Sequence, residues 1–167
     1  MTIDMESPGG DRAFFELRFR PCLELVSTVR RFVSGFYSAV LHDADLGSRL
    51  ALATHELVEN AVKFATSAET TLQVEVTRST GLARVVSWND ADPTNVANLQ
   101  RLLRAMREAP SALAYYEGLL TGEVEAVSSS GLGLARIGAE AEMSLSCEVK
   151  GSVVCIAART PLREGAA

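Results

Sequence analysis

The chain lacks most of the features that tie a protein to a membrane, an oxidising compartment or a nucleic acid. Its cysteines, Cys22, Cys147 and Cys155, are odd in number and show no C-x-x-C spacing. They indicate neither a disulfide framework nor a zinc site and read as small buried hydrophobes. No apolar run approaches the roughly 20 residues that span a bilayer, and residues 1–11 are too polar for the core of a signal peptide. No membrane partner is therefore expected, and the chain is placed in the cytoplasm. There is no run of Lys or Arg and the formal net charge is -5, which argues against nucleic acid as a partner. His42 and His55 are the only histidines, and an isolated histidine is more often structural than a ligand. No G-x-x-x-x-G-K-[ST] occurs, which excludes a P-loop enzyme. A complete G-x-G-x-x-G after a strand is also missing, which disfavours a Rossmann site.

What is present suits one folded domain. A chain of 167 residues with 47% hydrophobic content can bury one good core and is short for two. The expectation is a single domain over residues 12–160, with flexible ends at 1–11 and 161–167. Phe15, Leu17 and Phe19 alternate with Glu16, Arg18 and Arg20, the period of a half-buried strand. From Cys22 the period turns helical through Val29, Val33, Phe36 and Val40. The polar break Asp43-Ala44-Asp45 then offers an N-cap for a second helix running from about Leu46 to Thr66. Thr70–Thr77 and Leu82–Trp88 read as a hairpin around Ser79-Thr80-Gly81, ended by the polar turn Asn89-Asp90-Ala91-Asp92-Pro93. Helices follow over Asn95–Glu108 and Ser111–Leu120, then a mobile loop over Thr121–Ser130 and a helix over Leu132–Ala141. Met143–Val149 and Ser152–Ala158 close the chain as a second hairpin. Strands in hairpins and helices in groups predict an α+β fold, a mainly antiparallel sheet with helices on one face. In the 95–130 segment, Leu113, Tyr115, Tyr116, Leu119 and Leu120 are either core or a partner-docking surface.

Two motifs carry chemistry. At ~100° per residue, Glu56, Asn60 and Lys63 fall within an arc of roughly 60° on the second helix. That stripe is either a solvated face, with Glu59 and Lys63 paired at i,i+4, or a site holding a carboxylate, a carboxamide and an ammonium together. Further on, Gly131-Leu132-Gly133-Leu134 follows Ser128-Ser129-Ser130 and opens a helix. Two such glycines either close a loop or let backbone N–H groups and a helix N-terminus approach an anion.

Taken together, Glu56-x-x-x-Asn60-Ala61-x-Lys63 and Gly131-Leu132-Gly133-Leu134-Ala135-Arg136-Ile137 resemble the two boxes of the GHKL ATPase domain shared by gyrases, histidine kinases and MutL proteins. The resemblance covers nearly the whole chain and implies a Bergerat-type two-layer α/β sandwich with a mixed, mainly antiparallel sheet. It implies ATP and Mg²⁺ as cofactors: Asn60 would ligate the metal, Glu56 would activate the nucleophile and Lys63 would touch phosphate. Gly131, Leu132, Gly133 and Leu134 would line the triphosphate. The family's Asp-x-Gly-x-Gly adenine box is replaced by Trp88-Asn89-Asp90-Ala91-Asp92-Pro93, so either Asn89 or Asp90 would meet the base. A neutral Asn forms the weaker hydrogen bond there.

The chain leaves no segment for the acceptor-histidine hairpin of a histidine kinase. It is most similar to the stand-alone anti-sigma-factor-type serine/threonine kinases of bacterial partner switching. That branch implies a small antagonist protein as substrate, a sigma factor or other regulator as a further partner, and a homodimer as one assembly. The alternative is a nucleotide-binding or partner-binding module whose degenerate ATP site has lost catalysis.

Overall fold

The computed structural model describes residues 2–5, 11–41, 43–125 and 131–162. The elements are β1 (Thr2–Met5), β2 (Arg12–Phe19), α1 (Leu23–Val40), α2 (Ala44–Phe64), β3 (Thr70–Thr77), β4 (Leu82–Asp90), α3 (Pro93–Glu108), α4 (Ala112–Thr121), α5 (Gly131–Ala139), β5 (Ser144–Lys150) and β6 (Val153–Pro161). The strands form one sheet in the order β1-β2-β3-β4-β6-β5. Every pairing is antiparallel. The α+β architecture expected from the sequence holds, and the sheet is more uniformly antiparallel than the mixed one that the resemblance implied.

Period-2 patterning puts the apolar set on one face. Phe15 pairs with Val74, Val74 with Val85, Val85 with Ala158 and Ala158 with Leu145, a rung that crosses the sheet and is fully buried from Phe15 to Ala158. The helices cover this face. Phe36 and Phe32 of α1 meet Phe15 edge-on, with ring centroids 4.9 and 5.1 Å away. α2 sends Leu50, Leu57, Val58 and Ala61 into the same core, and α5 adds Leu134, Ala135 and Ile137. The opposite face is polar: Glu75 accepts from Arg12 at 2.8 Å and from Arg84 Nε at 2.7 Å.

Local chemistry sets the helix ends. Asp43, Asp92 and Ser111 each accept a backbone N–H three residues on, at 3.0, 2.9 and 3.0 Å, satisfying donors left open in the first turn. Pro93 starts α3, where its missing N–H costs nothing. Gly122 ends α4 in the left-handed region at φ 76°. Inside the helical layer, Tyr37 Oη and Thr54 Oγ1 lie 3.2 Å apart, and Thr54 Oγ1 donates to Leu50 O at 2.7 Å.

Two expectations need correction. Residues 2–5, expected as part of a flexible end, form a strand that pairs from Thr2 with Glu16 to Met5 with Ala13: Thr2 and Asp4 alternate with Ile3 and Met5, and β2 offers them an open edge. β4 runs through Asn89 and Asp90, which pair with Val154 and Val153; polar side chains do not stop a ladder whose partner strand continues. In the 95–130 segment Tyr115 is buried and Tyr116 and Leu119 are half-buried, whereas Leu113 and Leu120 are exposed. Residues 126–130 of the expected loop and residues 163–167 of the expected C-terminal tail lie outside the described residues. Among the described residues no helix is long and apolar enough to cross a membrane.

The depth of α2 yields a stability test. Leu57 is 0% exposed, so Leu57→Ala should cost about 2–5 kcal/mol in urea unfolding. Leu113 is 53% exposed, and Leu113→Ala should stay within about 0.5 kcal/mol. Equal effects would contradict this packing.

Candidate functional site

Helix α2 puts Glu56 and Asn60 one turn apart, at 5% and 9% exposure. For these two the solvated-face reading fails. Lys63, on the same stripe, lies on the exposed side near the end of α2. Glu59 faces His55, with 3.8 Å between Glu59 Oε2 and His55 Nε2.

Glu56 is held by α5. Arg136 Nη1 donates to Glu56 Oε1 at 2.8 Å, and Arg136 Nη2 and Nε donate to Glu140 Oε2 at 3.0 and 3.3 Å. Tyr116 of α4 donates to the other Glu140 oxygen at 2.7 Å. One chain of charge-assisted bonds thus joins α2, α5 and α4. Burial pushes the Glu56 carboxyl above the ordinary carboxylate range, with Arg136 pulling the other way. Glu140 is held below that range by its bonds from Arg136 and Tyr116.

The two glycines of the second motif differ in what they do. A Cβ on Gly133 would run into Glu56 Oε2, so the present placement of this carboxylate against α5 uses the missing side chain at residue 133, and a Cβ there would make the Glu56 side chain shift. A Cβ on Gly131 would meet only Leu102 Cδ1, at an ordinary 3.5 Å. Leu132 is exposed and Leu134 buried.

Asn60 opens on a separate small cavity lined by Asn89, Asn95, Leu99, Leu134 and Ile156, among others. The Asn60 Nδ2 atom is buried there without a hydrogen-bond partner. Asn89, 7% exposed, lines the same cavity while its Nδ2 donates to Asp90 O at 3.1 Å. Asp90, the next residue along the strand, has Oδ1 accepting from Ser152 Oγ at 2.6 Å and does not line the cavity. Strand alternation therefore brings Asn89 to Asn60 and leaves Asp90 outside.

The donor set is compatible with a nucleotide, since it offers an orphaned Asn60 N–H and a second carboxamide, that of Asn89, in the same lining. The space does not suit it in this arrangement. The cavity is about 40 Å³, room for water, against the roughly 300–1,000 Å³ of small-molecule sites. Asn95, Asn98 and Leu99 of α3 form part of its wall, so a nucleotide requires the cavity to widen. Among the described residues no group of three or more His, Cys, Asp or Glu could hold a metal. A Mg²⁺ here would depend on Asn60 together with ligand oxygens and water.

Sequence reading did not assign Arg136, Glu140, Tyr116, Asn95 or Asn98 a place here. Arg136 stood within the second motif, and its position one turn after Gly133 was the available signal.

No protein-family model matches the chain, and no curated protein matches it. Among solved structures it is similar to a chain in the crystal structure of the SiaB–SiaC complex from Pseudomonas aeruginosa, with a TM-score of 0.63 and 15% sequence identity over 87% of this chain and 88% of that one. At that identity the likeness is one of fold.

The raised Glu56 carboxyl gives a pH test with a definite sign. The folded state holds this proton more tightly than the unfolded state, whose Glu titrates near about 4.3. The associated stability is complete below that value and is lost as pH rises through the raised one. In urea titrations from about pH 4 to about pH 7, wild type should therefore lose stability relative to Glu56→Gln. Parallel pH curves for the two proteins would contradict the buried carboxylate.

Proposed function

We propose that the chain is a Bergerat-type regulatory domain that binds Mg²⁺-ATP weakly and acts on a small protein partner as a serine/threonine kinase or anti-sigma-type switch. The observation that carries this reading is the buried Asn60 amide nitrogen, which has no hydrogen-bond partner in a cavity it shares with Asn89. An unsatisfied buried N–H is costly; a phosphate oxygen would satisfy it while the carboxamide oxygen met the metal, and in the closed cavity a single water takes that place.

In this reading Asn60 supplies the metal ligand, Asn89 accepts from the adenine amino group, and Lys63 and the Gly131–Leu134 backbone take phosphate. The bound Mg²⁺-ATP would supply the phosphoryl group for transfer. Glu56 takes the proton from the partner's hydroxyl, and its raised affinity for a proton suits a base working near neutral pH. To do so it must part from Arg136 Nη1. The protein-partner half draws support from the SiaB–SiaC structure, in which a chain of this fold is part of a complex.

A second reading is favoured by two observations. The Arg136 bond occupies Glu56, and the cavity is too small for a base as it stands. Both suit a partner-binding module that has lost turnover.

Calorimetry with a nonhydrolysable ATP analogue and Mg²⁺ should give weak but measurable heat, and Asn89→Asp should tighten it. An absence of heat up to millimolar analogue would sink the nucleotide reading. For transfer of radiolabelled phosphate to the purified partner, Glu56→Gln should lower the rate on the order of 10² to 10⁴-fold with nucleotide affinity nearly unchanged. Asn60→Asp should instead weaken binding itself. Wild type that binds ATP and never labels its partner would leave the module.

A further inference from the structure

Two hollows of about 340 and 390 Å³ run between α3 and β5 and share Leu103, Arg107 and Cys147. They form one open trough along the strand. Its floor is apolar, with Leu103 and Met106 on one side and Leu145, Cys147 and Val149 on the other. These three β5 residues are half-buried, while Ser144, Ser146, Glu148 and Lys150 alternate with them on the exposed face. The rim on α3 carries Arg104 and Arg107, both exposed. Arg107 Nε is anchored to Leu103 O at 3.0 Å.

Two features together bear on what the trough receives. No carboxylate lines it, on a protein whose net charge is -5; the hollow of about 730 Å³ beside Arg30 and Arg31 shares that property but has no strand among its lining residues. The trough also runs beside β5, which stands at the end of the sheet and pairs only with β6 among the described residues. The outer edge of β5 therefore presents main-chain N–H and C=O groups that can pair with another strand. An open trough along such an edge suits an extended chain better than a small molecule, which calls for an enclosed site.

We propose that the trough receives an extended segment of a protein partner in which apolar and acidic residues alternate, and that the segment adds to β5 as a further strand. Main-chain hydrogen bonds to β5 supply affinity, the apolar floor takes alternate side chains, and Arg104 and Arg107 pair with the acidic ones. This rests on the protein-partner half of the proposed function and is independent of nucleotide.

The test is fluorescence anisotropy with a labelled peptide of alternating Val and Glu, in buffer free of nucleotide and at low salt. Amide hydrogen exchange is followed in parallel. The expected result is saturable binding with slowed exchange in Ser144–Lys150, weakened on the order of tenfold by Arg104→Glu or Arg107→Glu and further by both. Arg101→Glu, on the same helix and exposed but outside the trough, should leave it nearly unchanged. No saturable binding would overturn the proposal, as would equal loss in all three variants or binding without slower exchange in β5. Equal displacement of the peptide by a single-stranded oligonucleotide or by inorganic phosphate would reassign the rim to a generic anion site. ATP calorimetry on the same preparation reads the nucleotide half separately.

Discussion

Glu56 sits at 5% exposure on the helix at the centre of the helical layer, and an ionised carboxylate at that depth is unfavourable unless a cation reaches it. Arg136 is that cation, and much of the local architecture follows from delivering it. Helix α5 must come close enough for Nη1 to reach Glu56, and the bare backbone of Gly133 leaves room there for the other carboxylate oxygen. Glu140 and Tyr116 then fix the far side of the guanidinium. Removing Arg136 leaves the buried Glu56 charge uncompensated, whereas removing Glu56 leaves Arg136 partly exposed and still bonded to Glu140. The link also ties α4, outside the α2–α5 contact, to the residue with the strongest claim to chemistry.

The same geometry separates two halves of the candidate site. Glu56 is engaged and its hydrogen bonding is satisfied on the α5 side, whereas Asn60, one turn along, faces a cavity with its amide nitrogen unsatisfied. A helix thus presents one finished and one unfinished polar contact on a single stripe. The unfinished side is closed by the start of α3, whose Asn95 is itself tied to Asp92 by two bonds, at 2.9 Å to its backbone and 2.6 Å to its side chain. Any opening of the cavity must work against that capped first turn.

Periodicity made most of the fold legible. The hairpin of β3 and β4, the length of α2 and the closing hairpin all follow from apolar spacing, because burial on one face is what the spacing encodes. Two features were not legible: residues 2–5 alternate Thr2 and Asp4 with Ile3 and Met5, a pattern too short to stand out beside Pro8, Gly9 and Gly10, and Asn89 and Asp90 look like a turn yet lie on the ladder with Val154 and Val153. For the site, the motifs brought Glu56, Asn60 and Gly133 into view because a carboxylate, a carboxamide and a bare backbone at fixed spacings stand out in a sequence. Arg136 escaped because a lone arginine in a helix has many uses, and only the fold shows which carboxylate it reaches. The choice between Asn89 and Asp90 needed the pleat of β4, which decides the face each side chain takes.

β6 is last among the described strands in chain order, yet it lies inside the sheet between β4 and β5. During synthesis β4 emerges and pairs with β3 long before its second neighbour exists. Its open side, from Ala83 to Asp90, awaits Val153 to Thr160. The nascent chain therefore carries an apolar strand edge for the whole time that α3, α4 and α5 are being made, and such an edge invites pairing with other chains. The sheet is complete only when β6 lies between β4 and β5, so β4 gains its second neighbour after every other described element has been made.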